Sequence, residues 1–313
     1  MSTPTTTLTI AILTYNREEY LRECLESLTK QTFTDFEVII FDNASDYDVL
    51  SFLKEFPGLR IRVDANEKNI GGINNFLKVI SYPFASPYVM MFHDDDTIHP
   101  SYLEKACGLL ASHDDVVWVG SEIAFVPHAT HEKMMAFEVV ESISPFTIVN
   151  DQELILRLMK GFNLGFGSII YRRDILRKAI SRHEEFDKWL DRPFAIDLAL
   201  SHKVALSTEQ FINYRIHDGQ DSQFIEPKKL QCAINLFRYY KEKKNNPFSY
   251  FFRMLLSNSA INTAFHVAST YAQFFAIVKE FKKAELFSWY TIGPRGILYL
   301  SKFIFRNLKS HLV

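Results

Sequence analysis

Three consecutive acids, Asp94, Asp95 and Asp96, follow the apolar run "YVMMF" in the stretch "YVMMFHDDDTIHP" (88–100). Two carboxylates about 5 Å apart repel by roughly 3 kcal/mol at an effective dielectric of about 20. Three of them at the tip of a buried strand must take up protons or recruit a cation. On a continuing strand Asp94 and Asp96 would face together and Asp95 away. Oxygen ligands suit a hard cation, Mn2+ or Mg2+, which can share its shell with a diphosphate. Other apolar runs also end in polar residues: Thr14-Tyr15-Asn16, then Asp42 to Asp46, then Asn66 to Asn69. One such end is an ordinary turn or cap. Four on one rim read as the wall of a pocket, because open α/β sheets bind ligands beyond the carboxyl ends of their strands.

The elements that must hold these groups alternate. Strands are expected at 8–14, 36–42, 59–65, 88–93 and 115–121, all continuous apolar runs. Helices are expected at 17–31, about 46–56, 71–82 and 101–113. The first places Tyr20, Leu21, Cys24, Leu25 and Leu28 on one face, with Asn16 as its cap and Glu19 three residues on. Alternation of this kind predicts a mainly parallel sheet covered on both faces. Residues 122–150 show no period and read as a loop over the sheet. Further on, 151–161 is helical, "FGSIIYRRDILRKAI" a strand turning into a helix, "RPFAIDLALSHKVAL" a short helix and "EQFINYRIH" a strand end. The rest is helical, interrupted near Asn245–Pro247 and Gly293–Pro294.

At 313 residues and 47% hydrophobic, the chain can bury a sizeable core in one large domain or two. Charge divides it. Residues 225–313 carry 14 Lys+Arg against 4 Asp+Glu, whereas residues 1–224 carry 21 against 33. We therefore expect a domain at 1–224 and a basic, aromatic-rich helical region at 225–313, with different partners. No signal peptide or membrane-spanning run is read in the sequence. Three dispersed cysteines fit neither a disulfide framework nor a zinc site, so a cytoplasmic location is expected.

The strings "ILTYNREEYLRECLESL", "DNASD", "NIGGINN" and "HDDDTIHP", in this order, resemble the nucleotide-binding half of family 2 glycosyltransferases of the bacterial surface-glycan type. "INYRIHDGQDS" is similar to the end of that family's catalytic domain. The resemblance spans residues 8–222. It implies a GT-A fold, an α/β architecture with a doubly wound sheet, and an inverting, metal-dependent transfer from a nucleotide-sugar donor. It also implies roles. Thr14, Tyr15, Asn16 and Glu18 line the nucleoside pocket, and Asp42 accepts from a base ring N–H, which selects uracil or thymine. Asn69, Gly72 and Asn75 close over ribose and sugar. Asp94 and Asp95 lie by the donor, Asp96 ends the DxD motif and binds Mn2+ or Mg2+, and His217 approaches that metal or the diphosphate. Arg215 neutralises the leaving group. The base that deprotonates the acceptor is Asp197, with Asp191 the alternative; the family's usual Glu-Asp pair is here Ile196-Asp197. Gly165 and Gly167 would let an acceptor approach the backbone.

The basic, aromatic tail fits an anionic membrane surface and a lipid-linked glycan acceptor, which implies a peripheral position on the inner face of the cell membrane. An amphipathic tail equally suits a homodimer interface. No nucleic-acid motif is present, and the first domain is acidic. Two other functions keep a place: a nucleotidyltransferase, which would want a glycine-rich basic loop where "TYNREEY" stands, and a non-catalytic nucleotide-sugar-binding protein. A phosphatase of the Asp-x-Asp-x-Thr type is excluded by Ile98. Sugar, acceptor and linkage depend on pocket shape that the sequence does not encode locally.

Overall fold

Continuous apolar runs can be buried on both faces only in the middle of a covered sheet. The computed structural model, which describes residues 6–176, 183–186, 190–217, 230–243, 250–268 and 271–309, places the runs at 8–14, 36–42 and 88–93 there, whereas the one expected at 59–65 forms a half-exposed edge strand. In chain order the elements are β1 (Leu8–Thr14), α1 (Glu18–Thr29), β2 (Phe36–Asp42), α2 (Val49–Leu53), β3 (Ile61–Ala65), α3 (Gly72–Ser81), β4 (Tyr88–His93), β5 (Thr97–Ile98), α4 (Tyr102–Ser112), β6 (Val116–Pro127), α5 (His131–Met135), β7 (Phe146–Asn150) and α6 (Asp151–Met159). There follow β8 (Ile170–Arg172), α7 (Arg173–Leu176), α8 (His183–Phe186), α9 (Asp191–Ala199), β9 (Lys203–Ile216), α10 (Leu230–Lys243), α11 (Tyr250–Val267), α12 (Tyr271–Lys283) and α13 (Pro294–Lys309).

Contacts divide the described residues into two units. One is bounded by Met1–Leu154, Phe162–Ser181 and Phe194–Gln220, the other by Ile155–Gly161, Arg182–Pro193 and Asp221–Val313. The division falls inside α6 and inside α9. The first unit holds the sheet, in the order β3-β2-β1-β4-β8-β6-β9-β5, with β7 also on β9. Strands β3, β2, β1 and β4 run parallel, in line with the alternation in the sequence. Beyond β4 the sheet is mixed: β8 is antiparallel to β4 and β6, whereas β6 and β9 are parallel. Alternate residues Leu8, Ile10 and Ile12 of β1 and Met90 and Phe92 of β4 join Leu21, Cys24, Leu25 and Leu28 of α1 and Leu103, Ala106 and Leu110 of α4 in one apolar cluster. Phe41 stacks edge-on against Tyr82, the residue that closes α3, at 5.2 Å.

The loop expected over 122–150 is largely ordered structure. β6 runs on to Pro127, α5 follows, and β7 pairs with β9. Both strands find partners some 50 to 90 residues later, which no local period announces. In the second unit, the helical pattern read after Lys228 appears as α10 to α13. The break near Gly293–Pro294 marks the start of α13, with proline in the first helical position, where its missing N–H costs nothing. The interruption at Asn245–Pro247 and residues 218–222 of "INYRIHDGQDS" lie outside the described residues.

Candidate active site

Strand β4 ends at His93, and Asp94 and Asp95 form a turn before β5. Strand alternation therefore does not apply to the acids. Asp94 and Asp95 do not face apart: Arg17 Nη1 donates to Asp94 Oδ1 at 3.2 Å and to Asp95 Oδ2 at 2.9 Å. All three acids are buried, none more than 5% exposed. Thr14 Oγ1 donates to Asp94 Oδ2 at 2.7 Å. His217 Nε2 lies 3.2 Å from Asp95 Oδ2. The Arg215 backbone N–H donates to Asp96 Oδ1 at 3.2 Å, and its Nε to the Asp95 carbonyl at 3.1 Å. Two carboxylate oxygens, Asp95 Oδ1 and Asp96 Oδ2, accept no hydrogen bond from the described residues.

Electrostatics follow from this packing. Burial, with the charge of Asp95 beside it, pushes Asp94 up to about 7 against the pull of Arg17 and Thr14. Burial and Asp95 also raise Asp96 well above the usual carboxylate range. A cluster in this state gains from any further positive charge. Among the described residues no group of three or more His, Cys, Asp or Glu is arranged to hold a metal ion. The two unengaged oxygens fit a hard cation as part of a shell completed by other oxygens, the arrangement that suits Mg2+ with phosphate and water.

The neighbouring strand ends form a linked rim. Asp42 is buried, and its Oδ1 accepts from Ser45 N at 3.0 Å and Ser45 Oγ at 2.6 Å, while Oδ2 accepts nothing from the described residues. Asn43 Nδ2 donates to Asn69 Oδ1 at 2.8 Å, and Asn43 Oδ1 accepts from Asn66 Nδ2 at 3.0 Å and Ile70 N at 2.9 Å. Asn75 is buried and donates to the Phe41 carbonyl at 3.0 Å, so it anchors α3 to β2. Gly71, with φ +83°, turns the chain into α3, and the space beside Gly72 is open. Asn16 does not cap α1. It adopts φ +52°, and its side chain donates to Asp46 Oδ2 at 2.9 Å and accepts from Asp46 N at 2.7 Å. The helix begins after Arg17 instead. Tyr15 is 41% exposed on this rim, and Glu18 pairs with Arg22 at 3.5 Å.

Three residues of this region escape a sequence reading. Arg17 lies just before α1, and Tyr20 and Glu23 lie one turn apart on it. Glu23 accepts from Arg215 Nη2. The Arg215 guanidinium stands 4.4 Å from the Tyr20 ring centroid, and the Tyr20 and His217 rings are 5.2 Å apart. The signal available beforehand was only the i, i+3 spacing of Tyr20 and Glu23, which an amphipathic helix also shows.

Of the two candidate bases, Asp197 belongs to the sheet-bearing unit and Asp191 to the other. Phe194, one turn before Asp197 in α9, lies 5.7 Å from Phe76 of α3 and 6.3 Å from Phe166, whose ring is 6.2 Å from His93 at the tip of β4. Trp118 Nε1 donates to the Ala195 carbonyl at 3.1 Å and fixes this part of α9 to β6. Asp191 acts electrostatically on its neighbour Arg192, which is half-buried and interacts with the buried Tyr240. The glycines at 165 and 167 answer to the chain itself. A Cβ at Gly165 would come within 2.1 Å of Ile123 Cγ2, and one at Gly167 within 3.2 Å of Phe92 Cδ2.

Comparison with known proteins bears on this geometry. A model described as Glycosyl transferase family 2 matches residues 9–179. A Haemophilus influenzae protein described as an uncharacterized glycosyltransferase is 25% identical over 248 residues, 75% of either chain. Poly(ribitol-phosphate) beta-N-acetylglucosaminyltransferase TarS of Staphylococcus aureus is 31% identical over 107 residues, 33% of this chain and 19% of TarS. The crystal structure of TarS 1-349 in complex with UDP-GlcNAc superposes with a TM-score of 0.61 at 18% identity, over 89% of this chain and 81% of that one. Mannosyltransferase PcManGT from Pyrobaculum calidifontis, in complex with GDP-Man and Mn2+, superposes with a TM-score of 0.52 at 13% identity, over 98% and 81%. The shared architecture is a mixed α/β fold with a large central sheet, as in the GT-A fold of TarS, followed by C-terminal helices.

Proposed function

This chain belongs to glycosyl transferase family 2 and is a glycosyltransferase, and from that premise we propose that it moves a sugar from a UDP- or dTDP-sugar to a hydroxyl of a lipid-linked glycan acceptor, with inversion and with a divalent cation. The observation that carries this reading is the buried turn Asp94–Asp96, in which Asp95 Oδ1 and Asp96 Oδ2 accept no hydrogen bond from the described residues. Asp96, with His217 beside the turn, would hold Mn2+ or Mg2+. The chemistry such an ion supplies is neutralisation of the diphosphate.

The residues of the chain divide the remaining work. Thr14 and Arg17 orient Asp94 beside the donor. Asp42, with one oxygen fixed by Ser45, offers its other oxygen to a pyrimidine ring N–H. Tyr15, Asn16 and Glu18 line the nucleoside side. Asn69 and Gly72 border the ribose and sugar, and Asn75 holds them in place from below. Asp197 takes the proton of the attacking hydroxyl; an inverting transfer needs one such base and no covalent intermediate. A thermal-shift screen with Mn2+ tests this. UDP- or dTDP-sugars should stabilise the wild type and fail to stabilise Asp96→Ala. Stabilisation that survives the substitution overturns the metal assignment, and stabilisation by GDP-sugars alone overturns the pyrimidine one.

The helical unit supports an anionic membrane surface as partner. Among its described residues Phe275, Trp289, Tyr290, Ile297 and Leu298 are exposed, and Tyr290 is 94% exposed. The Phe275 and Trp289 rings are 6.3 Å apart. Lys279, Lys282, Arg295 and Lys302 are exposed in the same stretch. Aromatic side chains at the interface with cations around them suit anionic lipid. No described helix is long and apolar enough to cross a membrane. Trp289→Ser/Tyr290→Ser should lose co-sedimentation with phosphatidylglycerol vesicles. A wild type that stays in the supernatant, or that hides these residues in a homodimer, refutes the membrane reading.

A further inference from the structure

We infer that Tyr20 and Glu23 are positioning residues for the acidic turn, acting through Arg215 and His217; the consequence for metal binding, though not the geometry, rests on the function proposed above. Tyr20 and Glu23 are three residues apart and share one face of α1. Arg215 lies in the last residues of β9 and His217 just beyond its end, and both reach the acidic turn. The two pairs meet. Glu23 takes Arg215 Nη2, and the Tyr20 ring lies under the guanidinium at 4.4 Å and beside the His217 ring at 5.2 Å. Glu23 is also 3.8 Å from His131 Nδ1.

Arg215 is 4% exposed. A desolvated guanidinium is costly unless its charge is matched, and removing one partner of such a pair leaves an uncompensated charge. Glu23 supplies that match, and the Tyr20 face adds cation–π attraction. Held in this way, Arg215 ties down the turn at two points: its backbone N–H takes Asp96 Oδ1, and its Nε takes the Asp95 carbonyl. His217 meets Asp95 Oδ2. The clamp thus decides which carboxylate oxygens stay unengaged, Asp95 Oδ1 and Asp96 Oδ2. A guanidinium held by Glu23, Tyr20 and the Asp95 carbonyl works by placing the acids, a role beside the leaving-group contact expected from the sequence. Arg17, just before the same helix, holds Asp94 and Asp95. α1 and its entry therefore grip all three acids.

The test uses the full chain with Mn2+ and UDP as probes. Glu23→Gln should weaken Mn2+ binding in the presence of UDP by about 10- to 100-fold, the loss usual when a partner behind a metal ligand is removed. A crystal structure of the variant should show Arg215 displaced from the Tyr20 face. Tyr20→Leu should weaken Mn2+ binding in the same direction and Tyr20→Phe, which keeps the ring face, should restore it; this pair decides the matter should Glu23→Gln not fold. Wild-type Mn2+ affinity in Glu23→Gln, or Arg215 unmoved in its structure, overturns the clamp. A wild type that binds no Mn2+ with UDP would count against the donor reading alone, because the position of Arg215 in Glu23→Gln still decides for or against the clamp.

Discussion

The chain up to the middle of β6 and the chain after it contribute to the site by different means. In the first part the polar groups follow strands or open the next helix, and their bonds run between neighbouring strand ends and helix entries: Asn43 to Asn69, Asn66 to Asn43, Asn75 of α3 to the Phe41 carbonyl. In the second part Arg215 and His217 reach acids about 120 residues earlier in sequence. The first rim is assembled by topology, since parallel neighbours bring like ends together. The second is assembled by charge, since a buried arginine accepts only a place where carboxylates and carbonyls meet it. Substitutions in the two parts should differ accordingly.

The largest effect is expected at Asp197. Asp197→Asn should lower kcat by roughly 10²- to 10⁴-fold, the range of a lost general base, while donor binding by calorimetry stays within about twofold. Unchanged turnover would move the base to Asp191 and break the assignment of proton transfer to the sheet-bearing unit. A smaller effect compares two buried asparagines, each 4% exposed. Asn43→Ala strands Ile70 N–H and takes one partner each from Asn66 and Asn69, and Asn213→Ala strands the Ala136 carbonyl and takes one of two side-chain donors from the Met134 carbonyl. Each should cost about 1–3 kcal/mol in urea unfolding. Only Asn43→Ala should also weaken UDP binding; equal losses of affinity in both variants would erase the contrast.

The smallest effect concerns the helices packed on the sheet. Burial pushes the Cys107 thiol of α4 up to about 12 and raises Cys24 of α1 as well. An unfolded thiol ionises near 9, so between about 9 and 12 the native state binds the extra proton. Stability from these groups is complete below pH 9 and falls as pH rises. Urea midpoints from pH 7 to 8.5 should therefore be flat on this account and decline above pH 9, less steeply in Cys107→Ala.

How much was legible follows from the same contrast. The expected bounds of β1, β2 and β4 are those of the structure, because each is a largely apolar run, interrupted only by Thr9 in β1 and Glu37 in β2, that closes on a polar residue. Thr14, Asp42 and Asp94 to Asp96 were visible as those closing residues. β7 and the outer half of β6 show no period and predict a loop, because their strand character depends on β9. Phe125 on that outer half is 50% exposed, which blurs any inside–outside pattern. Asn16 matched a capping signature and was captured instead by Asp46 from the next strand end. Helical spacing groups Tyr20 with the apolar face of α1, yet its ring serves Arg215 and His217. In each case a long-range partner overrode a local preference.

Strand β9 pairs with β6, β5 and β7, and it delivers Arg215 and His217. It is also among the last parts of its unit to leave the ribosome. Until residue 216 has emerged, β6, β5 and β7 present open edges, and the buried acids lack two of the groups that meet them. Long-separated pairing of this kind slows folding, because loop closure precedes any gain from contact. A nascent chain stalled before Lys203 would display unpaired edges that invite association with other chains. The same strand that completes the acid cluster therefore sets a window of vulnerability during synthesis, which closes when β9 docks.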